Sequence, residues 1–97
     1  MKLGIVLATG ADLHHAAAIA LAARRAHHEV AIFAMDAGCA ALAAEPAVAQ
    51  ALLAADCELT VCSNSAVDLA LPDGVVRGSQ DDHAAVAVTS DRLIALT

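Results

Sequence analysis

The stretch Cys57-Glu58-Leu59-Thr60-Val61-Cys62-Ser63-Asn64-Ser65 reads as a strand that ends on a cysteine and gives way to a string of small polar residues able to open a helix. Alternation along the strand sets Leu59 and Val61 on one face with Cys57, and Cys62 on the other with Glu58 and Thr60. Cys57 is therefore expected against the dry core and Cys62 on the wetter side. A thiol just ahead of a helix also meets unpaired N–H groups and the positive end of the helix dipole, which favour thiolate over thiol. The reading that assigns no chemistry makes Cys62 a small hydrophobe filling space at a strand end.

Working outward, strands and helices alternate. Leu3 to Ala8 is an unbroken apolar run of the kind a parallel strand needs when both faces are covered. Asp12 is placed to cap a helix running through Ala26, with Arg24, Arg25, His27 and His28 at its C-terminal end. Glu29 to Met35 reads as a second strand. A helical pattern from Gly38 to about Ala55 restarts at Pro46, a residue suited to a first turn, so one helix or two fit equally well. After the third strand, Cys57 to Cys62, come an expected helix over Ser63 to Leu71 and a turn at Pro72-Asp73-Gly74. A short strand at Val75-Val76-Arg77, a brief helix through His83-Ala84-Ala85-Val86 and a last strand from Arg92 to Leu96 complete the chain. The expected architecture is a single α/β domain over residues 1–97, three layers α/β/α around a mostly parallel five-stranded sheet.

Composition bounds the function. The chain has 97 residues, is 60% hydrophobic and carries a net charge of -6, with Phe33 as its one aromatic residue. Alanine supplies 27 of the hydrophobic residues and buries little area, so a core of this size is marginal in a monomer and a homo-oligomer is expected. Lys2, Arg24, Arg25, Arg77 and Arg92 are scattered and form no basic stripe, which argues against direct nucleic-acid binding. The opening apolar run is too short to span a bilayer. Three cysteines without a CxxC signal neither a disulfide framework nor a zinc ribbon, and a reducing cytoplasm is the expected setting.

In a parallel sheet, ligand and catalytic groups gather beyond the carboxyl ends of the strands. That rim takes in Thr9, Gly10, Asp12, His14 and His15, then Asp36, Gly38 and Cys39, then Cys62 to Ser65, then Gly78, Ser79 and on to His83. Leu7-Ala8-Thr9-Gly10-Ala11-Asp12 follows a strand but lacks both GxGxxG and a GKS/GKT ending, so no nucleotide cofactor is expected. His14, His83, Cys39 and Cys62 share the rim without any ligand spacing, and no metal is expected. Cys39 is either a second rim thiol that exchanges with Cys62 or a packing residue.

The segments Lys2-Leu3-Gly4-Ile5-Val6-Leu7, His28-Glu29-Val30-Ala31-Ile32-Phe33, Leu59-Thr60-Val61-Cys62-Ser63-Asn64-Ser65-Ala66, Gly78-Ser79 and Ser90-Asp91-Arg92-Leu93-Ile94 together resemble the DsrE/DsrF-like (YchN-like) family of small sulfur-handling proteins. The resemblance covers nearly the whole chain and implies a DsrEFH-like fold, assembly into trimers or hexamers, and work beside TusA-like or DsrC/TusE-like carriers. In members that shuttle sulfur, a cysteine at the place of Cys62 carries it as a persulfide. The segment from Val67 to Gly74 departs from the basic stretch found in the tRNA-thiolation branch. The expected function is a sulfur relay on Cys62. Ser63, Asn64 and Ser65 are expected to supply donors to the sulfur, and Thr9, Gly10, Asp12, His14, Gly78 and Ser79 to line the rim around it. The alternative is a non-catalytic oligomeric binding module of the same fold.

Overall fold

A computed structural model describes residues 1–97. Its five strands are β1 (Lys2–Leu7), β2 (Glu29–Ala34), β3 (Glu58–Cys62), β4 (Val76–Gly78) and β5 (Arg92–Leu96), in the sheet order β4-β3-β2-β1-β5, and every pairing is parallel. The helices are α1 (Leu13–Arg25), α2 (Ala37–Ala44), α3 (Pro46–Ala54) and α4 (Gln80–Thr89).

The layers are unequal. Leu3, Ile5 and Leu7 of β1, Val30 and Ile32 of β2, and Leu59 and Val61 of β3 face α1, α2 and α3 and form the main core with Leu13, Ala16, Ala20, Leu42 and Leu52. Successive strand residues point to opposite faces, so Ala31, Phe33 and Cys62 emerge on the other side, where Val86 of α4 covers them. One helix thus covers what three cover opposite. β1 and β2 are buried on both faces almost throughout, which accounts for their unbroken apolar runs. The edges are β4, three residues long and carrying Arg77, and β5, which opens on Arg92; short length and charge are both devices that discourage edge pairing. No single helix is long and apolar enough to cross a membrane.

Two helix ends share a device that goes beyond the charge complementarity expected at the end of α1. After α1, His27 adopts φ 66°, while the N–H of His28 bonds the Ala23 carbonyl and that of His27 bonds Arg24. After α3, Asp56 adopts φ 67°, while Cys57 bonds Leu52 and Asp56 bonds Leu53. Both are Schellman closures with a non-glycine residue in the left-handed position. Arg24 fastens the two together, donating to the carbonyls of Ala55 and His28 at 2.8 and 2.9 Å.

The structure decides one open reading and corrects three expectations. The Gly38 to Ala55 pattern is two helices, meeting at 90° at Pro46. Asp12 holds the N-cap position of α1 without a side-chain capping bond, because its carboxylate is taken by the Thr9 hydroxyl at 2.6 Å and His15 at 3.3 Å. The brief helix around His83 is ten residues long, because Ser79 and Asp82 form a capping box that starts it at Gln80. The expected helix over Ser63 to Leu71 does not form. Turns occupy residues 63–68, Asp68 takes φ 63°, and Pro72 lies just beyond. The Ser63 and Ser65 side chains are engaged by other segments of the chain instead of by a helix, Ser63 donating to the Gly78 carbonyl and Ser65 accepting from the Asp36 N–H, and the guanidinium of Arg77 reaches across from β4 to the Ala66 and Leu69 carbonyls at 2.8 and 2.6 Å.

Candidate functional site

β3 delivers Cys62 to the carboxyl rim, and three separate pieces of chain close around it. The first is the turn that follows, where the Ala66 N–H bonds the Cys62 carbonyl at 2.9 Å and curls Asn64 and Ser65 back over the sulfur. The second is the end of β2, where the Asp36 N–H donates to Ser65 Oγ at 3.0 Å. Asp36 holds φ 50° and ψ -131°, a conformation that non-glycine residues avoid at a cost of roughly 1–3 kcal/mol. The third is the first turn of α4, whose Gln80 amide donates to Cys62 Sγ at 3.8 Å.

β4 registers these pieces. Both the N–H and the hydroxyl of Ser63 donate to the Gly78 carbonyl, at 2.8 and 2.7 Å. A Cβ at Gly78 would run into the Asp82 carboxylate and the Thr60 methyl, so only glycine lets the capping box of α4 sit this close to β3. That carboxylate accepts the Ser79 N–H at 2.8 Å, and the box fixes where Gln80 and His83 point.

The electrostatics separate the three thiols, all of which are free. The Ser65 N–H beside the sulfur holds the Cys62 thiol below its ordinary value, assisted by the Ser65 hydroxyl, the Asn64 N–H and the Gln80 amide. Burial pushes both Cys39 and Cys57 up. The cause at Cys62 differs from the one drawn from sequence: single N–H groups of a tight turn replace the helix dipole. The exposure also differs. Cys62 is only 6% exposed, against 5% for Cys57, so the sulfur is not on a wet face. Its cover is a shallow layer of turn and α4, and hydrogen bonding outweighs the burial that opposes it.

Of the rim residues expected around the sulfur, Asn64 and Ser65 reach Cys62. Ser63 is turned away to Gly78, Gly78 serves as its acceptor, and Ser79 caps α4. Thr9 and Asp12 bond each other, and His14 bonds Glu45 at 3.0 Å. The Thr9 hydroxyl, followed by His15, holds the Asp12 carboxyl below the usual carboxylate range. Gly10 lies against Ala37 and Ala41 of α2. Cys39 is fully buried in the main core, donates to the Ala34 carbonyl at 3.3 Å, and lies close enough to Cys62 for the two to interact through the sheet.

Sequence reasoning missed Gln80 and the partner of His83. The His83 ring stacks on Phe33, with centroids 5.1 Å apart and planes 13° from parallel, and its Nδ1 bonds Gln80 Oε1 at 3.0 Å. The Ser79-x-x-Asp82 spacing was the available signal, since a capping box fixes the helix start and hence the neighbours of Gln80 and His83. No group of three or more His, Cys, Asp or Glu side chains converges as metal ligands. A cavity of about 280 Å³ opens at the opposite edge of the sheet, lined by Lys2, Arg24, Glu29, Val30, Asp56 and Glu58, where Lys2 pairs with Glu58 and Arg24 with Asp56.

No protein-family model matches the chain, and no curated protein matches it significantly by sequence. Among solved structures, the crystal structure of the ychN protein from E. coli is similar over 99% of this chain and 99% of that one, with a TM-score of 0.85 at 19% sequence identity. The fold is therefore that of the ychN protein, a five-stranded parallel α/β sheet.

Proposed function

We propose that the protein belongs to the YchN-like, DsrE-like sulfur-handling family and carries sulfur as a persulfide on Cys62. The observation that carries this reading is the ring of N–H and amide donors from Asn64, Ser65 and Gln80 around one thiol, which lowers its pKa while the other two are raised. The shared fold with the ychN protein supports it. Cys62 thiolate attacks the outer sulfur of a donor persulfide R–S–SH and forms Cys62–S–SH, releasing the donor as R–S⁻. An acceptor thiolate then takes the outer sulfur and leaves Cys62 as thiolate. No external oxidant or reductant is needed in either step, and the rates depend on thiolate fraction and access.

The partners follow from the same reading: a second copy of this chain, in a trimer or hexamer, and a small TusA-like or DsrC/TusE-like sulfur carrier. Val76 and Leu93 pair in register with Thr60 and Gly4, which places them on the α4 face of the sheet, and both are exposed together with Val88 of α4. That apolar surface suits a subunit contact.

The test is intact-mass analysis after incubation with polysulfide. Wild type should gain about 32 Da, one sulfur atom, and Cys62→Ser should gain none while keeping its fold and assembly. Uptake by Cys62→Ser at the wild-type rate ends the reading. The low exposure of Cys62 favours a second one, an oligomeric binding module in which the thiol is incidental; protection of all three thiols from alkylation in the folded protein would support it.

A further inference from the structure

Gln80 has two ends, and what faces each is unequal. Its Oε1 lies 3.0 Å from His83 Nδ1 and its Nε2 lies 3.8 Å from Cys62 Sγ. A thiolate, or the inner sulfur of a persulfide anion, only accepts hydrogen bonds, so the amide helps it in one orientation and opposes it in the other, which would aim Oε1 at the sulfur. A free glutamine on the first turn of a helix interconverts the two. Here His83 decides between them. With the proton on Nδ1 the ring can only donate at that atom, which holds Oε1 and turns Nε2 toward Cys62. The ring itself is held by stacking on Phe33, which is fully buried at the centre of the sheet. The chain of contacts Phe33, His83, Gln80, Cys62 therefore runs from the most rigid part of the fold to the sulfur.

We infer that Gln80 is a dedicated donor to the reacting sulfur and that His83 is the positioning residue that fixes which end of the Gln80 amide faces Cys62. The inference rests on the sulfur-carriage reading and assigns to that site two residues from α4. The charged or titratable groups on the elements packed about the site are Cys39 from α2, which interacts with Cys62, Asp36 from the β2 turn, whose N–H holds Ser65, Asp82 from α4, which holds the Ser79 N–H, and Arg77 from β4, tied to the Ala66 and Leu69 carbonyls. All of them stay in place in the variants below, so their influence cancels in the comparison.

The experiment is the pH profile of iodoacetamide alkylation at Cys62, resolved by peptide mass spectrometry, in folded full-length protein. Gln80→Ala should slow alkylation below the inflection by about 3- to 10-fold and move the inflection to higher pH; Gln80→Glu, which puts a carboxylate against the sulfur, should move it further. Two substitutions at His83 separate hydrogen bonding from packing. His83→Asn keeps an N–H donor near the position of Nδ1 and loses the ring, and should stay close to wild type. His83→Phe keeps the ring on Phe33 and loses the donor, and should behave like Gln80→Ala. A wild-type inflection in Gln80→Ala overturns the proposal, and so does the reverse order at His83, with Phe harmless and Asn impaired, since that order reports packing alone. Failure of wild type to take up sulfur from polysulfide counts instead against sulfur carriage and leaves the alkylation result standing.

Discussion

Replacing Phe33 tests the thin side of the fold and the site together. Phe33 is fully buried, and its layer otherwise contains Ala31, Cys62, Val86 and the flank of Met35. A buried Phe→Ala change costs about 3–5 kcal/mol, depending on how far the surroundings collapse into the space. Here collapse is limited, because Ala31 and Cys62 are short and the neighbouring Val6 is fixed to β1, which leaves Met35 and the stacked His83 ring as the side chains long enough to reach in. The expected loss for Phe33→Ala is therefore near 4–5 kcal/mol, part of it the stack on His83, typically about 0.5–1.5 kcal/mol for such a ring pair. Against a total stability of about 5–15 kcal/mol for a domain of this kind, that is roughly a quarter or more. Phe33→Leu, nearer in volume, should lose about 1.5 kcal/mol. Urea unfolding followed by far-UV circular dichroism reads both. With m near 2 kcal/mol per molar, the alanine variant should lower the midpoint by roughly 2 M with little change in slope. A loss below about 1 kcal/mol at wild-type m would mean that α4 does not pack on Phe33 as described, and the Gln80 and His83 assignments would fall with it.

Two further outcomes follow from local geometry. His27→Gly should raise stability by about 0.5–1 kcal/mol, and the melting temperature by roughly 3–6 °C, because glycine removes the penalty of the left-handed conformation while giving part of it back as chain entropy; an unchanged or lowered melting temperature refutes the Schellman reading at α1. Above the ordinary thiol pKa of about 8.5 the unfolded chain releases protons that buried Cys39 and Cys57 retain, so stability should fall as pH rises, while Cys62, depressed in the native state, contributes stability above that value that is lost as pH falls through its native pKa. Cys57→Ala should flatten the alkaline decline, and an unchanged slope in a pH series of urea midpoints would contradict the burial argument.

What could be read in advance followed from periodicity. The unbroken runs of β1 and β2 announced strands covered on both faces, and alternation in β3 separated Cys57 from Cys62 correctly. The segment after Cys62 defeated the reading because its composition is compatible with a helix start, and what decides against one is a residue elsewhere, Arg77, which binds carbonyls of the turn. Asp36 and His27 take positive φ where no glycine advertises it. The partners of Cys62 were half legible. Asn64 and Ser65 are its neighbours in sequence, whereas Gln80 is 18 residues away and meets it only because β4 lies beside β3 and the capping box aims α4 back across the sheet.

The unequal covering of the sheet has a consequence in time. A chain emerging from the ribosome N-terminus first can assemble β1, α1, β2, α2, α3 and β3, with their shared core, before residue 80 exists. During that interval Phe33 and the Cys62 sulfur face water on the side α4 has yet to reach. Newborn protein should therefore be more open to oxidants at Cys62, and to association through Phe33, than finished protein. Docking of α4 ends the vulnerable period, and β5, pairing with β1 where Leu3 lies against Arg92, closes the long loop that holds α4 there. Slow translation after codon 62 would lengthen it.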